Sequence, residues 1–165
     1  MNKKVFSFIL IVTLALGVVL TGGKRVKADG LDNDYVIYEA SYLNQVDYCY
    51  ATVQFEQSYY RPQIERINEL RRSKGLDELV WDYNLEAFAM ERCAEYAMGA
   101  EPHKNTMGNS TGYYEVTASG PYDMVRTVSI FSQSSAHMDI LMNPSLKCLG
   151  IAGGRIDEHA HGNSS

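Results

Sequence analysis

The apolar pattern first becomes regular after Pro62, where it predicts a helix. Proline suits the first helical position because the amide it lacks would have no partner there. Ile64, Ile67 and Leu70 then recur at every third residue and form one apolar face. Gly75 is placed to end this helix, since glycine readily adopts the left-handed conformation of a C-terminal cap.

A second helix is predicted directly after the segment "GLDELVWD". Asp82 is a suitable N-terminal cap, because its carboxylate can accept hydrogen bonds from the first backbone amides of the helix. The apolar residues that follow fall on one face at a period of about 3.6, as expected for a helix packed on a core. The members of this face are Leu85, Phe88, Ala89, Cys93, Tyr96 and Ala97.

Shorter elements follow a long connection. Residues 99–121 carry four glycines and two prolines and predict a loop, alone or with a strand. Connections of this length inside a compact domain are usually functional. A third helix is predicted over Tyr122–Phe131, and a short fourth helix contains His137, with Ser134 or Ser135 as its cap. The segment "LKCLGIAGG" then predicts a buried strand.

The N-terminus predicts a signal peptide over residues 1–28. Met1–Lys4 is basic, Val5–Leu20 is mostly apolar, and Ala28 closes a small-residue cleavage site. The apolar run is shorter than the roughly 20 residues that a membrane-spanning helix needs. Three basic residues close behind it leave an uncleaved anchor as the alternative. Export with cleavage is the favoured interpretation, and it places the protein outside the cell or on its surface.

Charge argues against nucleic acid or an anionic membrane surface as the main partner. The whole chain has a formal net charge of −5, but five of its fifteen basic residues precede Asp29. All twenty acidic residues lie from Asp29 onward, so the chain without its signal would carry a net charge of −10. Nucleic acid and anionic lipid both require a basic face. Nothing after the signal is apolar enough to span a membrane.

Two flanking segments differ in composition from the central domain. Residues 29–59 are rich in tyrosine, and seven tyrosines lie between residues 29 and 60. Their regular structure stays open; half-burial against the domain is favoured over an aromatic platform for sugars. Residues 155–165 form a polar tail, whose His159 and His161 are treated as incidental. Three cysteines allow one disulfide with a remaining thiol, or buried thiols at 93 and 148.

Two phrases of the central domain resemble the CAP superfamily, the SCP-like domain of cysteine-rich secretory proteins, venom allergens and plant pathogenesis-related proteins. "INELRRSKGLDELVWDYNLEAFAMERCAEYA" is similar to the first two helices of that family. "FSQSSAHMDILMNPSLKCLGIAGG" is similar to its bacterial histidine signature and the strand that follows. The resemblance covers residues 60–154. It implies a bacterial α+β protein built as an α-β-α sandwich, with helices flanking a mainly antiparallel sheet.

The chain departs from the family pattern at several positions. Phe131 stands where the signature has tryptophan, and Met138 where it has arginine. Glu115 lies between a tyrosine and a valine instead of in a Gly-Glu-Asn motif. The family also continues through one more aromatic-containing strand, whereas this chain stops soon after Gly154, so the resemblance predicts a C-terminally shortened domain. A sheet edge left unpaired in this way would be exposed to other chains.

The resemblance implies that His103, Glu115 and His137 converge on one cleft. Asp123 is the remaining acidic candidate, since it is the only acid between Glu115 and His137. Two imidazoles and a carboxylate with an open position form a suitable first shell for a divalent cation such as zinc. Without metal, Glu115 could orient an imidazole that titrates near neutrality.

The favoured function is an extracellular binding or interaction module that uses this His/Glu cleft. Its ligand would be a lipid, a cell-wall fragment or a protein. The alternative is a metal-dependent, peptidase-like extracellular hydrolase with the same residues, and a third interpretation is a purely structural domain. The sequence favours binding over catalysis because no serine or cysteine nucleophile can be placed beside a base.

Overall fold

A computed structural model describes residues 7–15, 35–43, 47–97, 102–104, 110–120 and 124–163. The strands are β1 (Ser7–Ala15), β2 (Tyr35–Leu43), β3 (Asp47–Glu56), β4 (Val80–Trp81), β5 (Tyr114–Gly120) and β6 (Cys148–Asn163). The helices are α1 (Gln57–Tyr60), α2 (Gln63–Ser73), α3 (Tyr83–Ala97), α4 (Met124–Phe131) and α5 (Ser135–Leu141). None of these described helices combines the length and apolar character that a membrane crossing requires.

Six strands form one sheet in which β6 is the hub. The main path runs β2-β3-β6-β1-β5, and each neighbouring pair along it is antiparallel. The short strand β4 adds to β6 in parallel, through Val80 and Trp81. The predicted α+β class, with helices flanking a mainly antiparallel sheet, is confirmed.

The helix signals in the sequence correspond to real caps. Asp82 Oδ1 accepts hydrogen bonds from the backbone amides of Asn84 and Leu85, at 2.7 and 3.2 Å, and so begins α3. Gly75 has φ +68°, the left-handed conformation predicted after the first helix. Ser134 caps α5, its hydroxyl accepting from the amide of His137 at 3.5 Å. Local sequence therefore sets these boundaries.

Three segments form strands that the sequence pattern did not predict. The tyrosine-rich stretch forms a hairpin of β2 and β3, although most of its tyrosine side chains lie outside the described residues. Strand β6 continues past Gly154 to Asn163 and pairs with β3, so most of the polar tail extends the sheet. Residues 7–15 of the predicted signal form β1 between β6 and β5 in the uncleaved chain. Signal cleavage stays a prediction.

An asparagine explains one part of the resemblance between this chain and the CAP pattern. The Asn68 side chain donates to the carbonyl oxygen of Leu79 at 3.0 Å and accepts from its amide at 2.9 Å. The Asn68 side chain thus pairs with both backbone groups of Leu79, as a neighbouring strand would, and joins α2 to the segment before β4. Buried backbone groups need such partners, so an Ile-Asn pair at this place has a direct structural use.

Arg71 is buried, although its place beside the apolar stripe of α2 gave no sign of this. Its guanidinium donates to the carbonyl oxygens of Asp77, at 2.7 Å, and of Leu141, also at 2.7 Å. A further bond reaches the carbonyl of Asn143. Arg71 therefore satisfies the carbonyls at the end of α5 and fixes that helix to α2.

The core lies between the sheet and the helices, and α3 contributes more to it than any other helix. Its buried apolar members include Ala89, Cys93 and Ala94, which pack with Leu149 and Ile151 of β6. The Cys93 thiol donates to the carbonyl oxygen of Ala152 at 3.6 Å. This packing holds the C-terminal half of α3 against β6.

Candidate functional site

His103 and Glu115 meet as the resemblance implied. His103 Nδ1 lies 3.3 Å from Glu115 Oε1; the carboxylate is buried and the imidazole is about half exposed. His103 has φ +62°, a left-handed conformation that non-glycine residues seldom adopt. Strained backbone of this kind concentrates at functional positions because surrounding contacts must hold it in place. The turn before β5 therefore presents His103 at the edge of a buried carboxylate.

Arg92 is a member of this cluster that the sequence analysis missed. Its Nε donates to Glu115 Oε2 at 3.0 Å, and both side chains are fully buried. Its Nη1 also contacts the carboxylate of Glu95, one turn further along α3. Burial by itself would lower the pKa of Arg92, but the hydrogen bonds and charges of Glu115 and Glu95 outweigh it and raise the pKa. The guanidinium is therefore permanently charged and neutralises Glu115.

His137 approaches the same region from α5. Its ring meets Phe131 edge-on, with centroids 4.9 Å apart, and its Nδ1 is buried without a hydrogen-bond partner in the described structure. Burial, and then the charge of nearby His103, lower the pKa of His137. The imidazole is therefore neutral at pH 7, with one nitrogen that can donate and one that can accept.

The structure thus brings three of the four predicted site residues toward one region. Asp123 lies outside the described residues, as does the side chain of His159 in β6. In the described ranges no cluster of three His, Cys, Asp or Glu side chains has the arrangement of a metal site. Arg92 supplies a physical reason, because a guanidinium bound to Glu115 repels a cation and occupies one of its oxygens. As described, these side chains do not form a preassembled zinc site, and zinc binding stays a prediction.

The neutral state of His137 predicts a pH dependence of stability. Because the folded state binds a proton at His137 more weakly than the unfolded state does, protonation favours unfolding. Stability from this group is complete above the unfolded pKa of about 6.5 and falls as the pH drops below it. We expect His137→Asn to flatten the decrease in unfolding free energy between pH 7.5 and 5, measured by urea denaturation.

The matched control for this experiment is His103→Asn. Asparagine tolerates the left-handed backbone at this position, and the substitution leaves His137 in its buried environment. This variant should keep most of the decrease between pH 7.5 and 5. If the unfolding free energy of wild type and of His137→Asn decreases equally between pH 7.5 and 5, the imidazole of His137 is not buried in its neutral form.

A second buried polar cluster surrounds Glu86, also on α3. Tyr60 donates its hydroxyl to Glu86 Oε1 at 2.8 Å, and Arg61 forms two bonds to the carboxylate, at 2.9 and 3.0 Å. The Arg61 guanidinium also lies over the rings of Trp81 and Tyr83, at 5.9 and 5.6 Å. The Tyr60 hydroxyl, the Arg61 guanidinium and the Glu86 carboxylate are all paired here, so the cluster joins α1 to α3 as a structural tie.

A groove on the described surface contains no residue of either cluster. It has a volume of about 590 Å³, opens between α2 and α4, and is lined by Glu65, Arg66, Glu69, Val128, Ser129 and Ser132 among others. Its walls are mainly polar and charged surface residues. The groove brings together none of the histidines or carboxylates that the sequence singled out, so the candidate site is the His103–Glu115–His137 region, hereafter the His/Glu cleft.

Comparison with known proteins supports the resemblance on which this cleft was predicted. A family model described as CAP, the cysteine-rich secretory protein family, matches residues 64–159. Comparisons with curated proteins and with solved structures found no significant match. The matched range spans more than half of the chain and contains α2, α3, β5, α5 and most of β6, together with every residue of the His/Glu cleft. The chain therefore belongs to the CAP family.

Proposed function

We propose that this protein is an extracellular binding module whose ligand contacts the His/Glu cleft. CAP proteins are generally extracellular interaction modules, and the family match supports that role at this level. The proposed route of export is the N-terminal segment, read as a signal peptide with cleavage after Ala28. Catalysis is not needed to explain the cleft.

The contact between Arg92 and Glu115 is the observation that carries this proposal. A general base must be free to accept a proton from water, and a carboxylate that activates water must reach it. Glu115 is buried; one oxygen accepts a hydrogen bond from Arg92, and the other lies 3.3 Å from His103 Nδ1 without a hydrogen bond and is shielded from solvent. These contacts favour a rigid recognition surface over an acid–base pair.

The chemistry of the cleft favours a ligand rich in hydroxyl or amide groups. The buried Nδ1 of His137 lacks a partner in the described structure, and a buried polar atom gains free energy when a ligand supplies one. A hydroxyl group can both donate and accept, so it can pair with either tautomer of a neutral imidazole. Of a lipid, a protein and a cell-wall fragment, the glycan of a cell wall offers the most such groups.

A metal-dependent hydrolase is the second candidate, and one observation favours it. His137 is kept neutral next to His103, and a neutral imidazole is the form that binds zinc. His103, His137 and Glu115 would be the ligands. Their use would require Glu115 to exchange its contact with Arg92 for a contact with the metal.

Thermal unfolding of the full chain separates these functions. The probes are N,N′,N″-triacetylchitotriose, which stands for the glycan, and zinc chloride. Wild type is compared with His137→Ala and with Asp139→Ala, an exposed position on the same helix. A ligand at about 100 times its dissociation constant adds roughly 2.7 kcal/mol of stability, which should raise Tm in wild type and Asp139→Ala but not in His137→Ala.

Each result selects one function. Stabilisation by the saccharide, lost only in His137→Ala, supports a glycan-binding module. Stabilisation by zinc with the same dependence on His137 supports the metal-dependent alternative and justifies peptidase assays. If neither probe changes the Tm of wild type, both the glycan-binding module and the zinc-dependent hydrolase are contradicted. That result favours a structural domain or a ligand of another class.

A further inference from the structure

The position of β1 in the sheet is unusual for a segment from the chain terminus. Ser7–Ala15 lies between β6 and β5 and pairs with both along nearly its whole length, antiparallel in each case. Within the described part of the chain, β5 pairs with no strand other than β1. Without β1, β5 would lose its place in the sheet and β6 would expose one edge over the residues that face β1.

Val12 is buried between buried residues of both neighbouring strands. Val12 stands opposite Val116 of β5 on one side and Ile151 of β6 on the other. All three side chains are fully buried and belong to the core. Such rows of apolar residues across strands stabilise a sheet and fix its register. A strand placed between β5 and β6 must therefore carry an apolar residue at the position of Val12.

The connection from β1 to the rest of the chain is longer than the fold requires. Ala15 pairs with Cys148, whereas Tyr35 pairs with Glu56, next to the Phe55–Gly154 pair. Three strand spacings across the sheet and five residues along it separate the two ends by roughly 22 Å. The nineteen residues between Ala15 and Tyr35 can reach about 60 Å when extended.

We propose that the space between β5 and β6 is a strand-acceptor site, and that Ser7–Ala15 occupies it as an exchangeable strand. The occupant comes from the same chain in the uncleaved protein, and a second copy can deliver the same segment in trans. Exchange of an identical element between copies of a chain is a common low-cost route to dimers. The excess length of the connection permits either arrangement.

This acceptor site gives the predicted cleavage after Ala28 a structural consequence. Cleavage cuts the covalent link to β1 but does not change the edges of β5 and β6. Backbone hydrogen bonds and the buried row at Val12 still favour an apolar strand in that position, as in other cases of strand addition to a sheet edge. After cleavage Ser7–Ala15 is held only by noncovalent contacts, so an excess of an equivalent strand can replace it.

The experiment uses the full chain with a recognition site for a sequence-specific protease inserted between Gly23 and Lys24. The protein is folded, cut, and incubated with an excess of a fluorescent peptide of residues 2–17, whose Lys3 and Lys4 aid its solubility. Size-exclusion chromatography then measures the label that elutes with the folded domain. The controls are the uncut chain, the same peptide with Val12→Lys, and a scrambled peptide.

We expect the cut chain to take up the wild-type peptide, with unlabelled peptide competing for it. The Val12→Lys and scrambled peptides should be taken up at least tenfold less, because a charge would enter the buried row. The uncut chain should take up little, since its own strand is tethered at a high effective concentration, of the order of millimolar. Equal uptake of the Val12→Lys peptide overturns the proposal. So does no uptake at all, whether the cut domain stays folded or precipitates.

Discussion

Gly150→Ala is expected to remove most of the stability of this domain. A Cβ atom at this position of β6 would lie 2.1 Å from the backbone amide nitrogen of Glu86 and 2.1 Å from the carbonyl carbon of Leu85. Both atoms belong to the first turn of α3, so no side-chain rotation can relieve the clash. Overpacking of a core ordinarily costs about 1–3 kcal/mol, and a backbone collision should exceed that range.

Urea denaturation of Gly150→Ala tests this expectation against Gly75→Ala. Gly75 has φ +68° and open space around its Cβ position, so alanine there adds backbone strain without a collision. We expect Gly75→Ala to lose roughly 1 kcal/mol of unfolding free energy. Gly150→Ala should lose more than 3 kcal/mol or show no cooperative transition. A Gly150→Ala domain that unfolds like wild type would show that α3 does not rest directly on β6.

The same close approach explains why the site depends on α3. Because Gly150 carries no side chain, the start of α3 sits on β6, and the helix then carries Glu86 into one polar cluster and Arg92 into the other. Gly154, further along β6, similarly admits the side chain of Val53 from β3. Small residues in β6 thus let a helix and a neighbouring strand approach closely, as glycines in strands often do.

Local signals in the sequence predicted the helices well because each signal acts within one or two turns. Asp82, Gly75 and Ser134 all form the caps expected of them, and α2, α3 and α5 begin and end accordingly. The strand containing Gly150 was predicted as well. For the third helix, the described range begins at Met124, two residues after the predicted start.

The N-terminal half of the sheet could not be predicted in this way. An apolar run preceded by lysines has the same local pattern in a signal peptide and in a fully buried central strand. A central strand is recognised by its pairing, here with β5 and β6, most of whose paired residues lie more than a hundred positions away in the sequence. The local hydrophobic pattern contains no information about such distant partners. The hairpin of β2 and β3 was missed for a related reason, since its pattern neither alternates cleanly nor repeats at helical spacing.

The candidate site was predicted in part. The resemblance correctly implied that His103 and Glu115 meet, and it placed His137 near His103. Arg92 was missed because an arginine in an amphipathic helix is usually exposed, and helical periodicity gives no information about a partner on another element. Its partner Glu115 is 23 positions away. The sequence offered one signal for Arg92: in the helical segment "MERCAEYA" it immediately precedes Cys93, a residue of the predicted apolar face.

Arg92→Leu is the second substitution with a large expected effect. The guanidinium and the Glu115 carboxylate are both fully buried, and removal of one partner from such a pair typically costs about 3–5 kcal/mol because the other charge stays buried and uncompensated. Urea denaturation of wild type and Arg92→Leu at pH 8 measures this loss.

The double variant Arg92→Leu with Glu115→Gln decides whether the charge or the packing is responsible. If an unpaired carboxylate causes the loss, the second substitution should recover most of the stability at pH 8. Glu115→Gln alone should cost less than Arg92→Leu, because Arg92 keeps Glu95 as a partner. A double variant no more stable than Arg92→Leu would attribute the loss to packing, and Glu115 would then be available for the metal-dependent alternative.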